Sequence, residues 1–321
     1  MIKRTITTVI LSVVFTSCYS PPEFTPDPPV KWEAVQLYYQ AESSLNEGDV
    51  ESALEYLSQA IQVENNYLDA YIYRGYIYAE LDDCELAIND FNQAIEINSN
   101  SDRAYYNLGY LYYGKEDYEK AIQNFDQAIK INSRFDLAYD SRGLAYLDKG
   151  DYRRAIRDFT RAIDIDSKHP LAYNHRGIAY LQQGNYKKAE DDFDQAIEIN
   201  ALDFDAYGNR GNMYSEQGDY TAALKDINRA IEINPQYALG FLNLGAVYSR
   251  QGNYEDAIQE FNRALELGLE VAGVYQNRGF AYYRLGNCSA ALADLNRSLA
   301  LYGERPIPDR YLLTDIEEGC L

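Results

Sequence analysis

Residues 136–169 read DLAYDSRGLAYLDKGDYRRAIRDFTRAIDIDSKH, and residues 170–203 read PLAYNHRGIAYLQQGNYKKAEDDFDQAIEINALD. Set one under the other, the stretches share Ala138/Ala172, Tyr139/Tyr173, Arg142/Arg176, Gly143/Gly177, Gly150/Gly184, Ala155/Ala189, Asp158/Asp192 and Phe159/Phe193 at a constant offset of 34 residues. Apolar residues recur at helical spacing in each half, and a central Gly-Asp-Tyr or Gly-Asn-Tyr supplies a helix stop followed by a new start. Each stretch therefore predicts a hairpin of two antiparallel helices.

The same register extends in both directions. Gly75, Gly109, Gly143, Gly177, Gly211, Gly245 and Gly279 fall 34 apart, and Ala41 holds that phase one period earlier. Eight repeats follow, at 34–67, 68–101, 102–135, 136–169, 170–203, 204–237, 238–271 and 272–305. Numbered 1 to 34 within a repeat, position 20 is alanine throughout, from Ala53 to Ala291, and position 24 is large and apolar, from Leu57 through Phe91 and Phe193 to Leu295. Small residues at positions 8, 20 and 27 let the paired helices approach, while positions 4, 11 and 24 fill the space beside them. The 32 tyrosines fit this scheme, because positions 4 and 11 are mostly tyrosine and read as packing residues.

This pattern, over residues 34–305, resembles the tetratricopeptide repeat. The resemblance implies an all-α fold: a right-handed superhelix, or α-solenoid, of eight helical hairpins whose first helices line a concave groove. It also implies protein or peptide partners. Residues 306–321 break the register at Pro306 and Pro308 and then carry Tyr311, Leu312, Leu313 and Ile316, as expected of a C-terminal capping helix.

A second regularity concerns charge. Arg74, Arg142, Arg176, Arg210 and Arg278 occupy position 7, and each shares its repeat with an aspartate at position 23: Asp90, Asp158, Asp192, Asp226 and Asp294. Where position 7 is Leu108 or Leu244, position 23 is Asn124 or Glu260. Positions 7 and 23 lie opposite each other in a hairpin that turns near position 15, so five arginine–carboxylate bridges are expected.

The N-terminus reads differently. Lys3 and Arg4 precede the mostly apolar Ile6–Phe15 and a small-residue exit, Thr16-Ser17, so residues 1–17 form an export signal. Ten apolar residues are half of the roughly 20 that span a bilayer. The exit before Cys18 resembles the lipobox of bacterial lipoproteins, with Phe15 where an aliphatic residue is usual; the resemblance implies lipidation of Cys18, and Tyr19 after it implies outer-membrane sorting. Residues 18–33, with Pro21, Pro22, Pro26, Pro28 and Pro29, form an extended tether. Membrane contact is expected through this lipid alone.

A formal charge of −21 and the lack of any basic run exclude a nucleic-acid partner. No catalytic, cofactor or metal site is expected: His169 and His175 read as a solvated pair, and the repeat glycines lie inside helices or at turns rather than in a phosphate-binding loop. Cys84 and Cys288 stand six repeats apart and cannot meet. Cys320 would fall beside Cys288, and a disulfide between them or two free thiols are both open readings.

With positions 4, 7, 8 and 11 assigned to packing, the exposed stripe of each first helix is 2, 5, 9, 12 and 13. It carries Tyr38, Tyr76, Tyr106, Tyr110 and Tyr113 early, Leu147 and Ile178 further on, and then Asn174, Asn212, Gln276, Phe280, Tyr283 and Arg284. These form the candidate peptide-binding groove; some of them can instead pack between neighbouring first helices. No lysine occupies position 5, which argues against the carboxylate clamp of chaperone-cofactor relatives. The chain is thus expected to be a non-enzymatic scaffold or adaptor anchored in the cell envelope, the rival being a structural subunit of an envelope assembly such as a secretion or pilus machine.

Overall fold

The computed structural model describes residues 30–302 and Gly319. Two compact units divide between Ser167 and Lys168. In the N-terminal unit the helices are α1 (Trp32–Asn46), α2 (Val50–Val63), α3 (Leu68–Glu80), α4 (Cys84–Ile97), α5 (Asp102–Gly114), α6 (Tyr118–Ile131), α7 (Asp136–Asp148) and α8 (Tyr152–Ile165). In the C-terminal unit they are α9 (Pro170–Gln182), α10 (Tyr186–Ile199), α11 (Phe204–Gln217), α12 (Tyr220–Ile233), α13 (Ala238–Gln251), α14 (Tyr254–Glu266), α15 (Ala272–Arg284) and α16 (Cys288–Tyr302). Each odd helix pairs with the even helix after it, and within a unit each even helix also packs on the next odd one. The architecture is therefore all-α, a succession of helical hairpins. Among the described residues no helix is long and apolar enough to cross a membrane.

Local chemistry explains the helix boundaries. The second helix of a hairpin starts after an Asp or Asn; except at Asp83 and Asn253, its side chain accepts from the amide three residues on, as Asp151 does from Arg154 at 3.0 Å and Asp219 from Ala222 at 3.0 Å. One residue earlier the backbone turns left-handed, at Gly150 with φ 77° and Gly218 with φ 83°. Asp82 and Glu116 adopt the same conformation in the second and third hairpins, with φ 64° and 60°, although glycine is the residue suited to it.

Between paired helices the core is made of the small and large residues in alternation. Ala121, Ala155, Ala189, Phe125, Phe159 and Phe193 are fully enclosed. The position 4 and 11 tyrosines pack against this core, as Tyr71, Tyr78, Tyr112, Tyr207 and Tyr248 do, but nearly all are only half-buried, Tyr139 and Tyr180 among them. Their neighbours show why. The position 7 guanidinium lies over the position 4 ring three residues earlier, with Arg74 over Tyr71 at 5.7 Å, Arg142 over Tyr139 at 5.5 Å, Arg176 over Tyr173 at 5.6 Å, Arg210 over Tyr207 at 5.6 Å and Arg278 over Tyr275 at 5.5 Å. The position 4 tyrosines thus roof a cation as well as packing against the core.

Beneath that roof lie the five expected bridges. Each arginine donates through Nε and Nη2 to both oxygens of its aspartate at 2.7–2.9 Å. The aspartates are buried, so the pairs are charge-assisted contacts largely shielded from water. A further partner was not anticipated. The third guanidinium nitrogen, Nη1, reaches back to position 25 of the preceding repeat: Ser58 from Arg74, Asp126 from Arg142, Asp194 from Arg210 and Asn262 from Arg278. One side chain thus joins its own second helix to that of the hairpin before it.

The export signal, the tether up to residue 29, Cys18 and most of the 306–321 cap lie outside the described residues. Gly319 is helical and lies against Tyr283, whose ring a side chain at 319 would strike. Cys288 is disulfide-bonded, while Cys84 is a free thiol. Non-reducing alkylation followed by peptide mass analysis is expected to label Cys84, spare Cys288 and recover a Cys288–Cys320 cross-linked fragment. A Cys288–Cys18 fragment would reassign the bond.

Candidate functional site

The candidate-groove residues come from the odd helices, whose stacking brings residue i of one first helix beside residue i+35 in the next repeat. In the N-terminal unit the Tyr113 hydroxyl donates to Asp148 at 2.7 Å, and Ser141 Oγ donates to the Tyr106 hydroxyl at 3.4 Å. In the C-terminal unit Asn209 donates to Asn174 at 3.0 Å, and Arg250 donates to Ser215 at 2.6 Å. Positions 5 and 12 are therefore used to join successive first helices through positions 6 and 13.

This geometry corrects the expectation of an exposed stripe. Tyr38, Tyr110, Tyr113, Leu147, Asn174, Ile178 and Gln276 are all buried. Tyr76, Tyr106, Asn212, Phe280 and Tyr283 are half-buried, and Arg284 is exposed. A helical wheel of one hairpin cannot reveal this, because the enclosing contacts come from the adjacent repeat. The two histidines are corrected as well: His169 and His175 are buried rather than solvated.

The two units carry different chemistry on these helices. Along α5 of the N-terminal unit, Tyr110 stands between Tyr106 and Tyr113 with ring centroids 6.3 and 6.4 Å away. Phe135 closes on Tyr106 at 5.0 Å. On α3, burial and nearby Glu80 push the Tyr76 phenol up to about 12, and burial with Glu42 does the same for Tyr73. Both phenols therefore stay neutral and able to donate at any physiological pH.

In the C-terminal unit the same helices carry amides and acids. Burial, with Asp203 beside it, pushes the Asp205 carboxyl up to about 7, against the hydrogen bond it receives from Tyr237 and the charge of His175. Burial also raises Asp203, which accepts from the Ala206 amide at 3.0 Å. At the far end, Arg284 lies over the Tyr254 and Phe280 rings at 4.8 and 5.6 Å. Among the described residues no group of three or more His, Cys, Asp or Glu is arranged to hold a metal ion.

Family models described as tetratricopeptide repeat or TPR repeat match residues 75–116, 102–135, 141–204, 193–225, 211–252 and 236–304, together more than half of the chain. No curated protein sequence matches. Among solved structures, a tetratricopeptide repeat protein from Parabacteroides merdae is 21% identical with a TM-score of 0.66, over 78% of this chain and 99% of that one. A chain of the APC/C hetero-tetramer Cut9-Hcn1 is 19% identical with a TM-score of 0.67, over 86% of this chain and 55% of that one. PilW, a type IV pilus biogenesis factor, is 18% identical with a TM-score of 0.58, over 64% of this chain and 94% of that one. At these identities the likeness is one of fold.

Proposed function

The chain belongs to the tetratricopeptide-repeat family, and on that basis we propose that it is a non-enzymatic adaptor that holds apolar peptide segments against the aromatic first helices of its N-terminal unit. The observation that carries this reading is the row Tyr106, Tyr110 and Tyr113 on α5, with half-buried Tyr76 and Tyr106 giving access to it. Tyrosine rings on a helix supply large contact area with little rotamer freedom to lose, the property of an interface anchor. Asp205 and the amides of the C-terminal unit suit polar segments instead.

We place this adaptor in the cell envelope, exported by residues 1–17 and anchored through a lipid on Cys18. The disulfide at Cys288 supports an oxidising compartment, where such bonds persist. Labelling with a palmitate analogue is expected to mark the parent and not a Cys18→Ala variant; equal absence of label in both would remove the anchor.

Photocrosslinkers placed at Tyr76 and Tyr106 are expected to capture a partner that one at the exposed, second-helix residue Arg153 does not. Capture through Arg153 alone would favour the structural-subunit reading, in which the outer surface of the hairpins is the buried one.

A further inference from the structure

The first helix has an exposed face that the adaptor reading does not use. On α1 the buried residues are Ala34, Val35, Tyr38 and Ala41. Opposite them stand Trp32, Gln36, Tyr39, Ser43 and Asn46, all exposed, within an arc of about 80° at 3.6 residues per turn. Trp32 is 70% exposed and Tyr39 45%, and they sit two turns apart on the same line. None of the five is charged, but exposed Glu33 and Glu47 flank them, and Ser43 Oγ donates to Glu47 Oε1 at 3.4 Å.

That composition is local. The exposed second-helix positions of α8 and α10 carry Arg153, Arg154, Arg157, Lys187 and Lys188. Lys31, just before α1, turns away from the face to donate to the Val63 carbonyl at 2.6 Å. The other exposed large apolar residues, such as Leu81, Leu202 and Leu285, stand singly at helix ends and turns. Scattered residues of that kind are ordinary, whereas two exposed aromatics aligned on one helical face are not.

We propose that this face of α1 rests on the headgroup layer of an electrically neutral lipid surface, with Trp32 and Tyr39 as its interfacial contacts. The inference builds on the reading of Cys18 as a lipid anchor. From Cys18 to Lys31 the chain has 13 peptide steps, which span at most about 45 Å when extended, so α1 is, among the described helices, the first along the chain from that anchor. Tryptophan and tyrosine place an apolar ring in the interface and a polar group in water. Acidic Glu33 and Glu47 flank the face, and an electrically neutral headgroup layer, unlike an anionic one, does not repel them. Two aromatic side chains bind weakly on their own; the tether makes their contact intramolecular and supplies the effective concentration.

Trp32 is the chain's only tryptophan, so its fluorescence reports on this face alone. The experiment uses the chain from Tyr19 onward with a histidine tag in place of residues 1–18, captured on phosphatidylcholine vesicles that contain a nickel-chelating lipid. Attachment is then independent of lipidation at Cys18, which the palmitate experiment tests separately. The expected result on capture is a blue shift of Trp32 emission and quenching by acyl chains brominated near the headgroup, stronger than by chains brominated near the bilayer centre. Untethered protein with the same vesicles is expected to show neither. Unchanged emission on capture would overturn the proposal. A blue shift that rises with protein concentration in the absence of vesicles would overturn it too, by assigning the face to a second copy of the chain.

Discussion

Replacing Arg142 by leucine is expected to lower stability by about 3 to 5 kcal/mol, the range for stripping one partner from a buried ion pair. Asp158 would be left with its side chain 10% exposed and both oxygens unpaired. Asp126 of the preceding repeat would lose its contact as well, so the damage spreads across a hairpin boundary. Asp158→Ala should be milder, because Arg142 is 17% exposed and keeps Asp126 as a partner. The chain contains its own remedy: the third repeat has Leu108 at position 7 and Asn124 at position 23, with the Asn124 amide donating to the Lys120 carbonyl at 2.8 Å. Arg142→Leu with Asp158→Asn copies that solution and should recover most of the loss. Urea unfolding of the single and double variants measures each value; a double variant no better than Arg142→Leu alone would show that the pair is not what links these helices.

The deficit of Arg142→Leu should also depend on pH. In the parent, burial raises the Asp158 carboxyl above its ordinary range, against the hydrogen bond and charge of Arg142, which lower it. Without Arg142 the folded-state value climbs further while the unfolded value stays near 3.9. Between those two values the folded protein holds more protons than the unfolded one, so stability falls as pH rises through the folded value. The loss is therefore largest at alkaline pH and shrinks as pH is lowered towards the unfolded value. A deficit independent of pH would mean that the carboxylate left behind had found water.

The bridges show which features a sequence of repeats exposes. Their half within one hairpin was legible because arginine and aspartate vary together, being replaced jointly at Leu108/Asn124 and Leu244/Glu260. The half between hairpins was hidden, because the acceptor varies among Ser58, Asp126, Asp194 and Asn262, and any oxygen serves. The aromatic stripe was legible as composition but not as exposure. Tyr113 reaches Asp148 across a repeat boundary, a contact with no counterpart inside one hairpin. Likewise His175 was read as solvated from its isolation in sequence, whereas helix stacking encloses it among Asp203, Asp205 and their neighbours.

Gly177→Ala and Gly279→Ala occupy the same position in different repeats and should nevertheless behave in opposite ways. A Cβ at Gly177 would stand 2.6 Å from Cε1 and 2.8 Å from Cδ1 of Phe193, a ring that is fully buried and has no room to withdraw. Overpacking of this kind costs about 1 to 3 kcal/mol. At Gly279 the large residue opposite is Leu295, and a Cβ would meet nothing nearer than the Ala291 carbonyl oxygen and Asp294 Cβ, both at 3.3 Å. Alanine is favoured over glycine inside a helix by about 1 kcal/mol, which offsets that closeness, so Gly279→Ala should be neutral or mildly stabilising. The first repeat has already made the exchange, with Ala41 opposite Leu57 and both fully buried. Phe193→Leu alone leaves a gap over Gly177, and adding Gly177→Ala fills it. The double variant should thus be more stable than the two single losses predict, with a coupling of about 1 kcal/mol or more, the size seen for residues in contact. Additive losses would mean that glycine is needed at position 8 for the backbone itself, and not for the ring that packs on it.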